Sequence, residues 1–423
     1  MRILIWHGYL LGGTGSNVYT RSLARTWSRQ GHDVVVLCQE PDPENHDVGG
    51  ARVVRPRLDG GLPVFVMDHY ADAEPVLVGD MGPSERHRFV EVNADALRAE
   101  LPADIVLVNH VLLGAAVGAA AGTPFIVKAH GSELEFAIRG NAELTCWARD
   151  SLASADAVVV GSRHTADVLE QVVGPGRHSD RTHIVAPGVD IDMLRPQARD
   201  AALTSLVEQC RRDAPNPGKA DQRRPDEGNA DRLAAFLADD APTVLYVGKL
   251  SDQKGVALLL EALHSLEARA VIAGFGPART RLEAIAPSRT LFTGALEHRH
   301  LAHLWPLADV AVTPSVFPEA FGMVAAEAAS CGCPPLVARH SGLAEIAAAV
   351  AAAYPPAYGH LTSFDTGSVD DLRTKLSELL ALPPPEWGTL SRAARTTAVR
   401  TWSWDTVATR LARVAATRSG SGP

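Results

Sequence analysis

The sequence has little cysteine, little lysine and no long run of apolar residues. Five cysteines among 423 residues form no regular framework for disulfides, which disfavours a secreted, disulfide-stabilised protein. The first apolar run follows Met1 and Arg2 directly, and no run approaches the roughly 20 residues of a membrane span. These absences predict a cytoplasmic protein without stable insertion into a membrane.

An excess of positive charge is also missing. Lysine and arginine number 40 against 49 acidic residues, which gives a net charge of −9, so nucleic acid is not an expected partner. Abundant arginine and alanine are typical of a GC-rich bacterial genome, and a position that keeps lysine is therefore informative. The lysines are Lys128, Lys219, Lys249, Lys254 and Lys375.

The composition that remains is that of a globular protein, with 46% apolar and 21% charged residues. A chain of 423 residues exceeds what one compact core usually fills, so two domains are expected. Short apolar runs alternate with amphipathic stretches such as 17–30. This alternation predicts two α/β domains, each a doubly wound parallel sheet covered on both faces. The predicted strands are 2–7, 34–37, 105–108, 125–127, 157–160 and 184–185, then 243–247, 270–273, 290–292, 310–312 and 335–338.

The predicted bounds are 1–190 for the N-terminal domain and 191–400 for the C-terminal domain. Within the second, 196–242 is rich in proline, aspartate, arginine and glycine, which indicates an exposed excursion with helical ends and a mobile middle. A spacer, a lid and a partner contact all remain open for it. A final helix is predicted over 402–417.

Polar segments follow three predicted strands of the N-terminal domain. The glycines of Gly12-Gly13-Thr14-Gly15 allow a backbone to approach an anion at the start of the next helix. Asn109-His110 and Lys128-Ala-His130-Gly-Ser132-Glu133 follow the other two strands. Because ligands of doubly wound sheets gather at the carboxyl ends of strands, His130 is a candidate site residue, with a purely structural histidine as the alternative.

Two lysines of the C-terminal domain flank the start of a predicted helix, in Gly248-Lys249-Leu-Ser-Asp-Gln-Lys254-Gly255. Lysines at a helix start are unfavourable unless an anion compensates them. The segment lacks the spacing of a Walker loop. It therefore predicts a site for a phosphate or diphosphate.

Two carboxylates mark the most specific motif, Pro318-Glu319-Ala-Phe321-Gly-Met-Val-Ala-Ala-Glu327. Glu319 precedes the predicted helix, whereas Glu327 lies inside it among alanines. An enclosed carboxylate needs a hydrogen-bonding partner, and a ribose diol can supply one.

The ordered motifs resemble family 4 of the retaining glycosyltransferases, over nearly the whole chain. The motifs are the Gly-Gly loop, His130-Gly-Ser, Ala186-Pro-Gly-Val-Asp190, Gly248-Lys249, Lys254-Gly255, Gly274-Phe-Gly-Pro277, the Glu319/Glu327 pair and Gly342-Leu-Ala-Glu-Ile346. The resemblance implies the GT-B fold, in which two Rossmann-like domains face each other across a cleft. It also implies that helix 402–417 crosses back to the N-terminal domain.

The same resemblance implies a role for each matching residue. Lys249 and Lys254 would bind the donor diphosphate and Glu327 the ribose, while Glu319 and His130 would contact the transferred sugar. His130, Lys249, Lys254 and Glu319 are thus the expected catalytic residues. The remaining donor contacts implied are Gly13, Gly15, Phe321, Gly322, Met323 and Val324, and the acceptor-side candidates are Asn109, His110, Ser132 and Glu133.

No metal or cofactor is expected, and a nucleoside diphosphate sugar, with UDP as the nucleotide, is the expected donor. Asp190-Ile-Asp192 is interpreted as a loop and helix cap, and Cys331-Gly-Cys333 lacks the partner ligands of a zinc site. The expected acceptor is a small cyclitol, aminocyclitol or other metabolite, bound by a monomer or homodimer.

Three alternatives stay open from the sequence. One is a lipid or cell-envelope acceptor, reached by peripheral membrane contact through Arg211, Arg212, Arg223 and Arg224. The second is a non-hydrolysing nucleotide-sugar epimerase, which needs no acceptor. The third is a protein that binds a nucleotide sugar without turning it over.

Overall fold

The computed structural model describes residues 1–58, 60–67, 74–214 and 223–417. The chain divides into two compact units. Unit 1 comprises Met1–Gly188 together with Trp404–Pro423, and unit 2 comprises Val189–Ser403. The bounds expected from the sequence were 1–190 with 402–417, and 191–400.

Unit 1 is built on a parallel sheet. Its strands are β1 (Arg2–Trp6), β2 (Asp33–Leu37), β3 (Arg52–Val54), β4 (Leu62–Val64), β5 (Pro75–Leu77), β6 (Ile105–Asn109), β7 (Ile126–Lys128), β8 (Ala157–Val160) and β9 (Thr182–Ile184). Seven of them form one sheet in the order β3-β2-β1-β6-β7-β8-β9, while β4 and β5 pair separately. Both faces of β1 are buried, which explains its unbroken apolar run.

Helices cover both faces of this sheet. They are α1 (Gly15–Arg29), α2 (Pro83–Arg98), α3 (Leu113–Ala121), α4 (Gly131–Glu133), α5 (Ala142–Ala153) and α6 (Arg163–Val173). The apolar segment that contains α3 is rich in alanine and glycine, and most of the helix is buried. Two separate apolar cores result, one on each face of the sheet.

Unit 2 repeats the architecture with a six-stranded parallel sheet in the order β12-β11-β10-β13-β14-β15. Its strands are β10 (Thr243–Val247), β11 (Arg269–Ala273), β12 (Thr290–Gly294), β13 (Val310–Thr313), β14 (Pro335–Ala338) and β15 (Ser363–Phe364). Its helices are α7 (Arg199–Arg211), α8 (Asn229–Phe236), α9 (Val256–Leu263), α10 (Arg279–Ile285), α11 (His298–Leu304), α12 (Met323–Ser330), α13 (Ser341–Ala351), α14 (Val369–Leu380) and α15 (Pro384–Trp402).

The last helix, α16 (Trp404–Ala416), belongs to unit 1 and packs against α1. The Trp404 ring lies 5.4 Å from the Tyr19 ring, and the Gln30 amide donates a 2.8 Å hydrogen bond to Asp405. Among the described residues, no helix has the length and apolar character to cross a membrane.

The excursion 196–242 differs from its prediction as an exposed segment. Its helices α7 and α8 pack on each other and α7 packs on α11, with Leu206 and Leu233 fully buried. Each helix has a narrow apolar stripe that is buried against the other helix, and the many charged residues around it made the stripe hard to recognise in the sequence. The expected mobile middle lies between the helical ends 200–211 and 230–238, and of it residues 215–222 lie outside the described residues.

The distal arm of the excursion, residues 223–229, is hydrogen-bonded to the end of β12. The Asp226 backbone N–H donates to the Thr293 carbonyl at 2.8 Å, and the Ala295 N–H donates to the Arg224 carbonyl at 2.9 Å. The Asp226 carboxylate accepts two hydrogen bonds from Arg279, at 2.7 and 2.6 Å. The arm therefore fixes the loop between β12 and α11.

We predict that Asp226→Asn destabilises unit 2, because it removes one partner of a bidentate, largely buried ion pair. A loss of about 2 kcal/mol in the free energy of unfolding is expected, which corresponds to a fall of roughly 5 °C in Tm. Asp252→Asn is the matched control, since the Asp252–Arg281 pair is 84% and 56% exposed. Equal thermal shifts for the two variants, measured by calorimetry, would contradict the bracing role.

Candidate active site

Lys249, Lys254 and Glu319 lie in loops at the carboxyl edge of the unit 2 sheet. Lys249 and Lys254 follow β10, and Glu319 follows β13, the neighbouring strand. The Lys254 ammonium forms an ion pair and hydrogen bond with Glu319 Oε1. Lys249 is exposed, and no ion pair involves it among the described residues. An anion at this edge would meet one free ammonium and one that is paired.

The Glu319 loop is held by the start of α13. Its backbone N–H donates to Ser341 Oγ at 2.9 Å, and its carbonyl accepts from the Gly342 N–H at 3.0 Å. A Cβ at Gly342 would lie only 2.5 Å from the Phe321 Cα. The loop can therefore approach α13 only because residue 342 is glycine.

The segment Phe321–Val324 turns from this loop into α12. Gly322 has φ of +109°, which favours glycine, and its carbonyl accepts the first hydrogen bonds of α12 from Ala325 and Ala326. The backbone N–H groups of Met323 and Val324 lie in the first turn of α12, where N–H groups have no carbonyl partner within the helix. The Phe321 side chain is buried against Trp402, so at this residue the backbone is the part available to a ligand.

Glu327 lies inside α12, where it is 7% exposed and flanked by fully buried alanines. His298, the first residue of α11, places its Nε2 3.1 Å from Glu327 Oε1. The sequence analysis missed His298, since nothing in a separation of 29 residues indicates the contact. In the part of the chain that the structure describes, His298 is the side chain hydrogen-bonded to this carboxylate, and no hydrogen bond is made by its second oxygen.

His130 lies at the carboxyl edge of the unit 1 sheet, two residues after β7. Its Nε2 is 2.9 Å from Asn109 Oδ1, while Asn109 Nδ2 donates to the Trp6 carbonyl at 3.3 Å. This arrangement places the ring proton on Nε2 and leaves the Nδ1 lone pair as an acceptor. Burial, followed by the neighbouring His110, lowers the pKa of His130 well below its usual value. The ring is therefore neutral near pH 7.

Glu133 is fully buried and has a positioning role that the sequence did not predict. Its two oxygens accept from the backbone N–H groups of Val111 and His130, at 2.7 and 2.9 Å. The carboxylate therefore fixes the loops that carry His110 and His130. Glu133 is fully buried and Ser132 beside it is exposed; the acceptor contact expected for both residues stays a prediction.

His110 is held in a strained backbone conformation, with φ of +75°. It is 2% exposed and neither ring nitrogen makes a hydrogen bond. Four other rings surround the His110 ring, with centroids 4.7–5.9 Å from its own centroid. The members of that group are His7, Tyr9, Phe65 and His130.

The glycine loop joins the same region through Asn17. Asn17 donates to the Gly12 carbonyl and accepts from His7 Nε2 at 2.8 Å. Gly13 has φ of +93°, and a Cβ at Gly15 would meet nothing within 4 Å. Packing within the chain gives no reason for glycine at position 15, whereas close approach of a ligand would. His7 and Asn17 are further residues that the sequence analysis missed.

Two sets of possible metal ligands, Asp190 and the group around His300, form hydrogen bonds within the protein. Asp190 Oδ1 accepts from the Met193 N–H at 3.0 Å, which caps a turn. Among the described residues, the one group with ligand-like spacing is Cys210, Asp213 and His300. The Glu297 N–H donates to His300 Nδ1, so Nε2 carries the proton and donates to Asp213. Neither nitrogen of His300 is free for an ion.

Comparison with known proteins agrees with this geometry. The family model described as "Glycosyltransferase Family 4" matches residues 13–193, and "Glycosyl transferases group 1" matches residues 230–395. The chain belongs to glycosyltransferase family 4. It is 34% identical over 203 residues to a D-inositol 3-phosphate glycosyltransferase of Xylanimonas cellulosilytica, covering 45% of this chain and 42% of that protein.

A second relative is matched over more of its length. D-inositol 3-phosphate glycosyltransferase 1 of Catenulispora acidiphila is 28% identical over 360 residues, which covers 78% of this chain and 75% of the relative. The chain thus spans less than half of the first relative and three quarters of the second. The solved structure of Anabaena HepE in complex with UDP and glucose matches with a TM-score of 0.68 and 16% identity, covering 99% of this chain and 100% of that one. This likeness confirms the GT-B fold.

We predict that His7 and His130 do not titrate in the physiological range. Burial lowers the pKa of His7 to about 3, and that of His130 well below its usual value. The unfolded chain binds these protons below about pH 6.5, so the free energy of unfolding should fall as pH decreases below 6.5. Imidazole NMR signals, assigned with His7→Asn and His130→Asn, test this; a midpoint near 6.5 for either ring would contradict it.

Proposed function

We propose that the protein is a retaining, metal-independent hexosyltransferase. It transfers a sugar from a nucleoside diphosphate sugar, with UDP as the nucleotide, to a hydroxyl of a small acceptor such as a cyclitol. The observation that carries the proposal is the convergence of Lys249, Lys254, Glu319 and Glu327 at one sheet edge. Two cations, an open helix start and two carboxylates correspond to the diphosphate, sugar and ribose of such a donor.

The ion pair between Lys254 and Glu319 suggests how donor binding begins. The donor diphosphate takes the place of Glu319 beside the Lys254 ammonium, and the freed carboxylate accepts hydrogen bonds from sugar hydroxyls. Glu327 accepts from the ribose diol with the oxygen that His298 leaves available. Each charged group then has a partner in the bound state, as buried charges require.

The chemistry follows from charge development on the leaving group. The bond from the anomeric carbon to the β-phosphate oxygen breaks, and a bond to the acceptor oxygen forms on the same face. The acceptor proton passes to the departing phosphate oxygen. Lys249, Lys254 and the N–H groups at the start of α12 stabilise the negative charge that develops there. The Nδ1 atom of His130 accepts a hydrogen bond from a sugar hydroxyl and thereby orients the sugar.

Support for the nucleotide and the acceptor comes from different sources. HepE was solved with UDP and glucose, and both relatives described above are named for transfer to D-inositol 3-phosphate. A thermal-shift screen of UDP-, GDP- and ADP-sugars tests the nucleotide directly. Stabilisation by GDP-sugars alone would replace UDP in the proposal.

Glu327→Gln should weaken UDP binding about 10- to 100-fold, because the ribose loses a charged acceptor in an enclosed site. Isothermal calorimetry with UDP measures the change. Glu261→Gln on the exposed face of α9 is the matched control and should bind UDP as the wild type does. Unchanged UDP affinity in Glu327→Gln would remove Glu327 from the donor site.

His130→Ala should lower kcat by about 10²-fold, the range for loss of a positioned group acting on the reacting sugar. UDP affinity should stay nearly constant, since the proposed diphosphate ligands belong to unit 2. His87→Ala, an exposed histidine on α2, serves as control. If His130→Ala keeps wild-type turnover, or loses activity only in proportion to its Tm, His130 is a structural residue.

A further inference from the structure

Lys128 is a buried cation that the proposed mechanism does not use. It ends β7, two residues before His130, and only 3% of its surface is exposed. It is one of five lysines against 35 arginines in the sequence. A buried ammonium is costly unless an anion or hydrogen-bond acceptors compensate it.

The protein supplies little of that compensation. The Lys128 Nζ lies 5.3 Å from the centroid of the Tyr19 ring, whose face attracts a cation weakly. Among the described residues no hydrogen bond or ion pair reaches this nitrogen. Glu133 is the carboxylate whose charge acts on Lys128, but its oxygens are occupied by the Val111 and His130 N–H groups.

Other groups around Lys128 add hydrogen-bonding capacity and no further negative charge. The Tyr19 hydroxyl is buried without a partner, and burial raises its pKa, so it keeps its proton. His7 and His130 are neutral, because burial lowers the pKa of both. Neither ring nitrogen of His110 makes a hydrogen bond, although Nδ1 lies 3.6 Å from Glu133 Oε2. The cluster therefore has an ammonium and a hydroxyl to donate, while Glu133, the carboxylate that acts on Lys128, accepts its hydrogen bonds from the backbone instead.

We propose that Lys128 binds an anionic group of the acceptor, a phosphate or a carboxylate, at the carboxyl edge of the unit 1 sheet. The proposal rests on the proposed function, and it narrows the acceptor class. A cyclitol that carries a phosphate supplies the missing counter-ion, whereas an aminocyclitol would place a second cation beside the ammonium. Lys128 thus acts as a specificity residue for acceptor charge.

Anion binding should leave a measurable proton signature. Burial lowers the pKa of Lys128 to about 7 in the ligand-free chain, although Glu133 opposes the shift. At pH 7.5 part of the population is neutral, and a bound anion raises the pKa again. Binding should therefore take up a fraction of a proton, which an uncharged ligand would not cause.

The experiment compares the wild type with Lys128→Met, which keeps the length and apolar stem of the side chain. Lys375→Met in unit 2 is the matched control. The probes are inositol 3-phosphate, unphosphorylated myo-inositol and 2-deoxystreptamine, followed by calorimetry at pH 7.5 in two buffers of different ionisation enthalpy. UDP binding and sugar transfer are measured on the same samples.

The wild type should bind inositol 3-phosphate at least about tenfold more tightly than myo-inositol, the range for a charge-assisted hydrogen bond in an enclosed site. Proton uptake should accompany binding of the phosphorylated probe alone. Lys128→Met should lose this preference and the uptake while it keeps its affinity for UDP. Lys375→Met should behave as the wild type does.

Equal binding of the three probes by the wild type would overturn the proposal, as would an unchanged preference in Lys128→Met. Weaker UDP binding in Lys128→Met would assign the anion to the donor and overturn it too. If Lys128→Met fails to fold, the wild type alone still tests the proposal, through its preference for inositol 3-phosphate over myo-inositol and its proton uptake on binding. A charge preference without transfer contradicts the proposed function alone, and transfer without a charge preference contradicts this inference alone.

Discussion

Parallel strands deliver their carboxyl ends to one edge of a sheet, and both units of this chain place charged and polar groups there. In unit 2 that edge carries Lys254 and Glu319, and in unit 1 it carries Asn109 and His130. Helix starts lie at the same edges, so backbone N–H groups add to the donors. The interiors of the buried strands, such as residues 244–246 and 3–6, are apolar.

The two edges differ in how their charges are compensated. In unit 2 each carboxylate has a cationic or imidazole partner, Lys254 for Glu319 and His298 for Glu327, which a ligand must replace or share. In unit 1 the carboxylate of Glu133 holds the backbone of two loops. No hydrogen bond or ion pair of the described residues reaches the Lys128 nitrogen, which lies over the Tyr19 ring. The charged groups of the first edge are paired within the protein, whereas the proposed acceptor anion would compensate Lys128 at the second edge.

The sequence predicted the parts of this architecture that depend on local pattern. Buried strands such as 243–247 and 335–338 read as short apolar runs, and glycines marked the loops that follow them. The strands β3, β4, β5 and β15 were missed, because two or three residues are too short for a recognisable apolar run. The contact between His298 and Glu327, the role of Glu133 and the isolation of Lys128 depend on residues distant in sequence, which no local pattern reveals.

The protein is proposed to transfer a sugar from a nucleoside diphosphate sugar with retention of the anomeric configuration and without a metal ion. The most direct test is proton NMR of the anomeric signals while the wild type acts on UDP-glucose and inositol 3-phosphate in the presence of EDTA, with UDP-glucose alone as the reference. The account predicts a new α-linked product with the donor's anomeric configuration and no change in the sugar when the acceptor is omitted. A β-linked product, a strict requirement for a divalent metal, or epimerisation of the sugar without an acceptor would contradict it.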